Sequence, residues 1–315
     1  MKLTEQEIRS ITVGALGITY EDGVYHFFKY TEKQLCFFEK ADEGLGRRAR
    51  TTTGIRLDFH TSSPYMAFEA TGSGKYEVFV DGLFSEQFHI KDTDRCKCEL
   101  RAPLGDKKDE HRVTLLLPSH GIGSLSYIEL ADGASLRPHT FDEKLLFIGD
   151  SITQGWDTHI DGMSFAYRLS FFYNAESVIQ GTGGAYFHEG AFDSLPFRPD
   201  RVFVALGTND FTHYATKEEM AIHADAHLAL IAKEYADKEL YYISPIFRAD
   251  NQKRMGSLAE AREVLTKIAE GHGFTHIDGL SLVPPHAFFF TPDLLHPNAL
   301  GYLQYTENLL HALHK

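Results

Sequence analysis

Ser151 ends an apolar run and opens a polar turn in LLFIGDSITQGW, residues 145–156. A serine so placed either caps the following helix or attacks a carbonyl. Attack requires a base to take its proton and donors to hold the oxyanion. His296, in PDLLHPNALGY, is the candidate base, and Asp293, three residues earlier, is the candidate to orient its imidazole. Gly184, in QGTGGAYF, offers an unobstructed backbone N–H, and Asn209, in GTND, a side-chain amide. With the Ser151 N–H these make three donors for an oxyanion, while Asp150 holds the nucleophile turn. Taken singly, each feature has a plainer reading: a cap, a loop, a turn in which Asn and Asp tolerate the backbone, or one stray histidine among 17. The case for acyl transfer rests on their occurring together.

The elements that must position these residues are legible from residue 144 onward. Apolar runs at 145–149, 176–181, 201–207, 239–246 and 274–278 alternate with helical patterns such as KEEMAIHADAHLALIAKEYAD and SLAEAREVLTKIAEGHG. Runs apolar throughout imply strands buried on both faces of a parallel sheet, and the alternation implies a doubly wound α/β fold. Five such strands most often wind in the order 2-1-3-4-5, with ligands at the switch point between the first and third. GDSITQG follows the first strand and GTNDF the third, so both motifs fall at the expected crevice.

Residues 1 to about 138 have a different grammar. GIRLDFHTS, YMAFEAT, YEVFVDG, FSEQFHI, RVTLLL and LSYIEL are short β-prone runs separated by turn residues, with few helical periods. Asp81-Gly82 between alternating runs is a hairpin signal. The expectation is an all-β sandwich or jelly roll over residues 1–140 and an α/β domain over 141–315.

Jointly the motifs resemble the GDSL, or SGNH, hydrolase family over about residues 144–315. GDSIT is similar to its first block, which supplies the nucleophile; GTGG to the second, whose last glycine matches Gly184; GTND to the third; and DLLHPN to the fifth, a D-x-x-H. The resemblance implies a flavodoxin-like three-layer sandwich. It also implies a Ser151–His296–Asp293 triad and an oxyanion hole of Ser151, Gly184 and Asn209. Where the family often has Asn before the second block, Gln180 stands here. The G-x-S-x-G elbow of α/β-hydrolases is absent. A β-rich half before such a domain resembles the two-domain esterases of carbohydrate esterase family two. The implied activity is hydrolysis of small O-acyl esters, O-acetyl above all, on carbohydrate, with no metal or organic cofactor.

The 315 residues carry a formal net charge of −13, which disfavours nucleic acid and acidic membrane surfaces as partners. No signal-peptide pattern opens the chain and no window reaches spanning length, so a cytoplasmic address is expected. The expected partner is a small-molecule or oligosaccharide acyl ester; self-association is compatible with the sequence. Cys96 and Cys98 in RCKCEL have no second pair to complete a metal site. His223 and His227, at i and i+4, are read as a solvated helix face, since the Glu of a zinc-protease motif is missing. Trp156, Tyr186 and Phe187 flank the motifs and either line a sugar or acyl pocket or pack on the sheet. FRADNQKR, after the fourth strand, borders the crevice or is plain surface. Two other functions fit the same residues: an acyltransferase using the same acyl-enzyme, or a carbohydrate-binding protein whose β half does the work.

Overall fold

The computed structural model describes residues 1–91, 98–105 and 109–314. In the first half the strands are β1 (Thr12–Val13), β2 (Gly17–Glu21), β3 (Val24–Phe28), β4 (Arg56–Thr61), β5 (Tyr65–Thr71), β6 (Gly74–Val80), β7 (Leu83–Ile90), β8 (Cys98–Pro103), β9 (His111–Leu116), β10 (Ser124–Leu130) and β11 (Arg137–Pro138). They form two antiparallel sheets, ordered β1-β4-β9-β6-β7, with β11 beside β4, and β2-β3-β10-β5-β8. Phe59, Tyr76, Val113 and Leu115 from one sheet meet Phe27, Phe68, Leu125 and Ile128 from the other, making a β-sandwich. β6 pairs with β7 up to Val80 and Leu83, and the turn between them has Asp81 at φ 52° and Gly82 at φ 81°. That is the Asp-Gly hairpin the sequence announced.

The expectation of few helices in this half is corrected by the structure. Among the described residues three helices interrupt it: α1 (Glu5–Ile11), α2 (Glu32–Ala41) and α3 (Glu43–Ala49). Thr4 with Glu7, and Thr31 with Gln34, form capping boxes that start the first two.

The second half holds β12 (Glu143–Gly149), α4 (Ser151–Gln154), α5 (Phe165–Phe172), β13 (Ala175–Gly181), β14 (Arg201–Ala205), α6 (Asp210–His213), α7 (Lys217–Glu234), β15 (Glu239–Ile243), the short pair β16 (Gln252–Lys253) and β17 (Gly256–Ser257), α8 (Leu258–Gly271), β18 (Thr275–Ile277) and α9 (Ala299–Leu313). Its main sheet is parallel throughout, ordered β13-β12-β14-β15-β18, which is the 2-1-3-4-5 winding. Successive residues face opposite layers, as strand geometry requires. Leu146, Val178, Val202 and Val204 pack with Met220 and Leu228 of α7 and Leu265 of α8. Leu145, Phe147, Ile179 and Phe203 pack with Phe165 and Leu169 of α5 and Tyr302, Tyr305 and Leu309 of α9. The fold is an α/β three-layer sandwich with an N-terminal β domain.

The two halves share one interior. Leu35 and Phe38 of α2 and Leu45 and Ala49 of α3 belong to the same buried cluster as Leu146, Val178, Ala185 and Phe187. Helices from the first half therefore complete the layer that covers the parallel sheet. Arg56, fully buried on β4, donates to Ser177 Oγ and to the Ala175 carbonyl of β13. Glu77 of β6 accepts from the N–H groups of Asp161 and Gly162, and Lys75 donates to the Thr158 and His159 carbonyls. The β half thus grips the 156–163 loop that follows α4. No helix among the described residues is long and apolar enough to cross a membrane.

Candidate active site

The turn at Ser151 is built by close approach. A Cβ on Gly149, the last residue of β12, would lie 2.0 Å from Thr153 Oγ1, so only glycine lets α4 fold back onto the strand. Asp150 accepts from the Ile152 N–H with its side chain and from the Gln154 N–H with its carbonyl, which starts the helix at Ser151. Burial pushes the Asp150 carboxyl up to about 6, although the Ile152 N–H and the charges of His296 and Arg248 pull it down. Tyr302 of α9 donates to the Ile152 and Trp156 carbonyls, tying the turn to the far layer.

The segment before α9 presents His296. Asn298 caps α9 by accepting from the Leu300 and Gly301 N–H groups, while its amide donates to the Phe288 and Phe290 carbonyls. Leu294 takes a left-handed φ of 51°. Asp293 Oδ1 accepts from the Leu295 N–H, the His296 N–H and Thr291 Oγ1. Its Oδ2 lies 2.6 Å from His296 Nδ1, and His296 Nε2 lies 2.7 Å from Ser151 Oγ. The three side chains form one continuous hydrogen-bonded relay. Partial burial raises the Asp293 carboxyl, but the Thr291, His296 and Leu295 donors outweigh it and hold the group well below the usual carboxylate range. Asp293 therefore stays charged beside His296 Nδ1.

Two loops, after β13 and after β14 on either side of β12, carry the remaining candidates. Asn209 donates through Nδ2 to the Ala185 carbonyl at 2.9 Å, leaving its second amide hydrogen free for a ligand. Asp210 Oδ1 accepts from the Phe187 N–H, and Tyr214 donates to the Phe187 carbonyl, so the GTND and GTGGAYF loops are zipped together. Neither the Ser151 N–H nor the Gly184 N–H has a partner among the described residues. Arg248, at 4% exposure, donates to the Thr208 carbonyl and pairs with Asp250. FRADNQKR is thus not plain surface: it braces the GTND loop, and the Ala249 N–H donates to the Leu294 carbonyl of the histidine loop.

Asp210 yields a prediction of pH dependence. Burial pushes its carboxyl up to about 7, against the N–H groups that stabilise its charge. The folded state then holds a proton that an unfolded aspartate, near 3.9, releases. Its stabilising contribution is complete below about pH 4 and falls as pH rises toward 7. Asp210→Asn should gain stability relative to the parent between pH 5 and pH 8, read as the difference in melting temperature. A difference that does not change with pH would refute this.

The flanking aromatics divide. Trp156 is 37% exposed, its ring 6.0 Å from that of His296 and 5.2 Å from that of His120, which comes from the β half. His120 had no signal in the sequence, because only the docking of the two halves brings it here. Tyr186 is half-buried and stacks on His213 at 3.7 Å, while Phe187 is fully buried. The loop after α4 lines two cavities, one of about 560 Å³ with Asp157, His159, Thr291 and Asn298, and one of about 350 Å³ with Lys75, His120 and Asp161. Both fall within the size range of small-ligand clefts.

Other expectations need amendment. His227 is not on a solvated face. It is buried, its Nδ1 accepts the His188 N–H, and burial pushes its pKa to about 4. His223 instead meets Glu189 at 3.0 Å. Ligand-capable atoms of His188, Glu189 and His223 lie within 4.8 Å of one another, but His188 Nδ1 accepts from the Gly190 N–H and His223 Nδ1 is taken by Glu189. Gln180 forms a buried amide pair with Gln34 of α2 and donates to the Lys29 carbonyl, so it joins the two halves. Cys96 lies outside the described residues; Cys98 begins β8, and Cys36 is free and exposed.

Comparison with known proteins is consistent with this geometry. Residues 147–303 match the GDSL-like Lipase/Acylhydrolase family. No curated protein matches the sequence. Among solved structures, the salicylyl-acyltransferase SsfX3 from a tetracycline biosynthetic pathway superposes with a TM-score of 0.84 at 20% identity, covering 96% of this chain and 94% of its own. A family two carbohydrate esterase from Clostridium thermocellum, in complex with cellohexaose, gives 0.68 at 16% identity over 84% of this chain and 92% of its own. One from Cellvibrio japonicus gives 0.65 at 13% identity over 96% and 93%. These likenesses span both halves, so the two-domain architecture itself is shared.

Proposed function

From the match of residues 147–303 to the GDSL-like lipase/acylhydrolase family we propose that the chain belongs to that family and is a serine esterase that removes small acyl groups, acetyl above all, from carbohydrate hydroxyls. The observation that carries this reading is the relay from Ser151 Oγ through His296 to Asp293, at 2.7 and 2.6 Å. Ser151 Oγ attacks the ester carbonyl as His296 Nε2 takes its proton. The carbonyl π electrons move to oxygen, and the oxyanion is held by the N–H groups of Ser151 and Gly184 and the Asn209 amide. The intermediate collapses, the C–O bond to the alcohol breaks, and His296 returns the proton to the leaving oxygen. Water then repeats the sequence on the acyl-serine, releasing acid. Asp293 holds the imidazole orientation and stabilises the imidazolium. Trp156 and Tyr186 are the proposed substrate contacts, and the domains divide near residue 140.

Acetylated xylo-oligosaccharides and an aryl acetate are the substrates to test, with acetate release as the readout. Release from both supports carbohydrate; release from the aryl ester alone keeps the chemistry and removes the sugar. The likeness along both halves to a salicylyl-acyltransferase brings a second reading, in which an alcohol replaces water in the second step. Supplying an acceptor alcohol separates the two: esterase activity gives free acid, transfer gives a new ester. Asn209→Ala should lower kcat by about 10²–10³ with KM little changed, since an oxyanion donor acts in the transition state. Near-full turnover in that variant would remove Asn209 from the oxyanion hole.

A further inference from the structure

The second-block loop carries two consecutive glycines, Gly183 and Gly184, and the peptide unit between them has a carbonyl on one side and the Gly184 N–H on the other. A trans peptide is planar, so fixing the carbonyl fixes the N–H in the opposite direction. With glycine on both sides, and Gly184 at φ 84°, no Cβ opposes a flip of that unit. Something else must hold it. The preceding unit is held by the Gly183 N–H, which donates to Gln154 Oε1 at 2.8 Å. The Gly183 carbonyl accepts from Nε of Arg48, a residue of α3 in the β half.

We infer that Arg48 is a positioning residue that aims the Gly184 N–H at the oxyanion by gripping the carbonyl of the same peptide unit. This rests on the reading of Ser151 as nucleophile and Gly184 as oxyanion donor. Arg48 is suited to the role in three ways. Its helix is anchored by Leu45 and Ala49 in the shared core, and its own carbonyl accepts from Lys29 Nζ and Thr51 Oγ1. It has no carboxylate at ion-pair distance among the described residues, so its donors are not drawn elsewhere. A Cβ placed on Gly184 would sit 3.0 Å from Arg48 Nη2, so the guanidinium lies against this loop. A charged donor on the carbonyl also polarises the amide and strengthens its N–H as a donor. The β half, on this account, supplies a working part of the catalytic centre.

The test uses the full chain and a fluorophosphonate, which needs an activated serine and an oxyanion hole but no particular acyl group or alcohol. Ser151 Oγ forms a bond to phosphorus as His296 Nε2 takes its proton, fluoride leaves, and the P=O oxygen occupies the oxyanion position. Arg48→Met should be labelled about 10–100-fold more slowly than the parent, since a misaimed donor forfeits part of the ~10²–10³ that a donor supplies. Arg48→Lys should fall between them, because a single ammonium cannot reproduce the planar fork. Ethylguanidinium should restore part of the rate to Arg48→Ala, a recovery that a packing defect would not show. On an aryl ester, kcat should fall while KM moves less than about threefold. Labelling of Arg48→Met within twofold of the parent would overturn the inference. So would slow labelling with a lowered melting temperature and no rescue by lysine or ethylguanidinium. A parent protein that resists the probe would overturn the Ser151 reading itself, and the inference with it.

Discussion

Ser151→Ala should reduce ester cleavage by about 10⁴–10⁶-fold, the range expected when the nucleophile of a covalent mechanism is deleted and only binding and the oxyanion hole remain. The fold should hardly notice. The Ser151 side chain makes one described side-chain hydrogen bond, to His296, and His296 keeps Asp293 as its other partner. The loss is then on the order of one hydrogen bond, about 1 kcal/mol. Acetate release and thermal melting measured on the same preparation separate chemistry from stability. An Ala variant that melts like the parent and still turns over within tenfold of it would mean that another group attacks the ester.

The largest effect on stability is expected inside the β half. Asp58 is buried on β4 between two guanidinium groups: Arg56 Nε lies at 3.1 Å, and Arg112 reaches both carboxylate oxygens at 2.9 Å. Burial raises the Asp58 carboxyl, but Arg112 and Arg56 outweigh it and bring it below its ordinary value. Asp58→Ala leaves Arg56 fully buried with no carboxylate among the described residues. Such an uncompensated charge costs about 3–5 kcal/mol, a drop in melting temperature of roughly 5–10 °C for a chain of this size. Arg56→Met should cost less, because Asp58 keeps both contacts from Arg112. The order of the two variants is the decisive reading. If Asp58→Ala melts within about 1 °C of the parent, or above Arg56→Met, the buried pair is not what holds β4 against β13.

The site was more legible than its supports. GDSIT and GTND stand out because each polar motif sits where an apolar run stops, and the ends of parallel strands are where such a sheet leaves room for ligand. The winding order followed from the same alternation. The three helices of the first half were missed for a physical reason. Leu35, Phe38, Leu45 and Ala49 bury their side chains against strands that begin almost a hundred residues later, so their local stretch carries a weak apolar stripe among many charges. The capping boxes at Thr4 and Thr31 were the available signal. His227 reads as solvated because HADAH lacks the Glu of a zinc-protease motif, yet its ring is taken by the backbone of His188 from another loop. Arg48 carries no signal in the sequence, and FRADNQKR, which holds Arg248, fits crevice border or plain surface equally; only tertiary docking turns each arginine onto a backbone carbonyl.

The helices that roof the parallel sheet have a consequence for how the protein is made. α2 and α3 leave the ribosome well before β12, β13 and β14, the strands they cover. At synthesis rates of ~5–20 residues per second, their apolar sides wait roughly 10–30 s for a surface to bury against. The β-sandwich finishes sooner, and for that interval it carries a greasy flap with nowhere to lie. The nascent chain is therefore most exposed to aggregation and to chaperone capture midway through translation, when the cover has been made and the sheet beneath it has not.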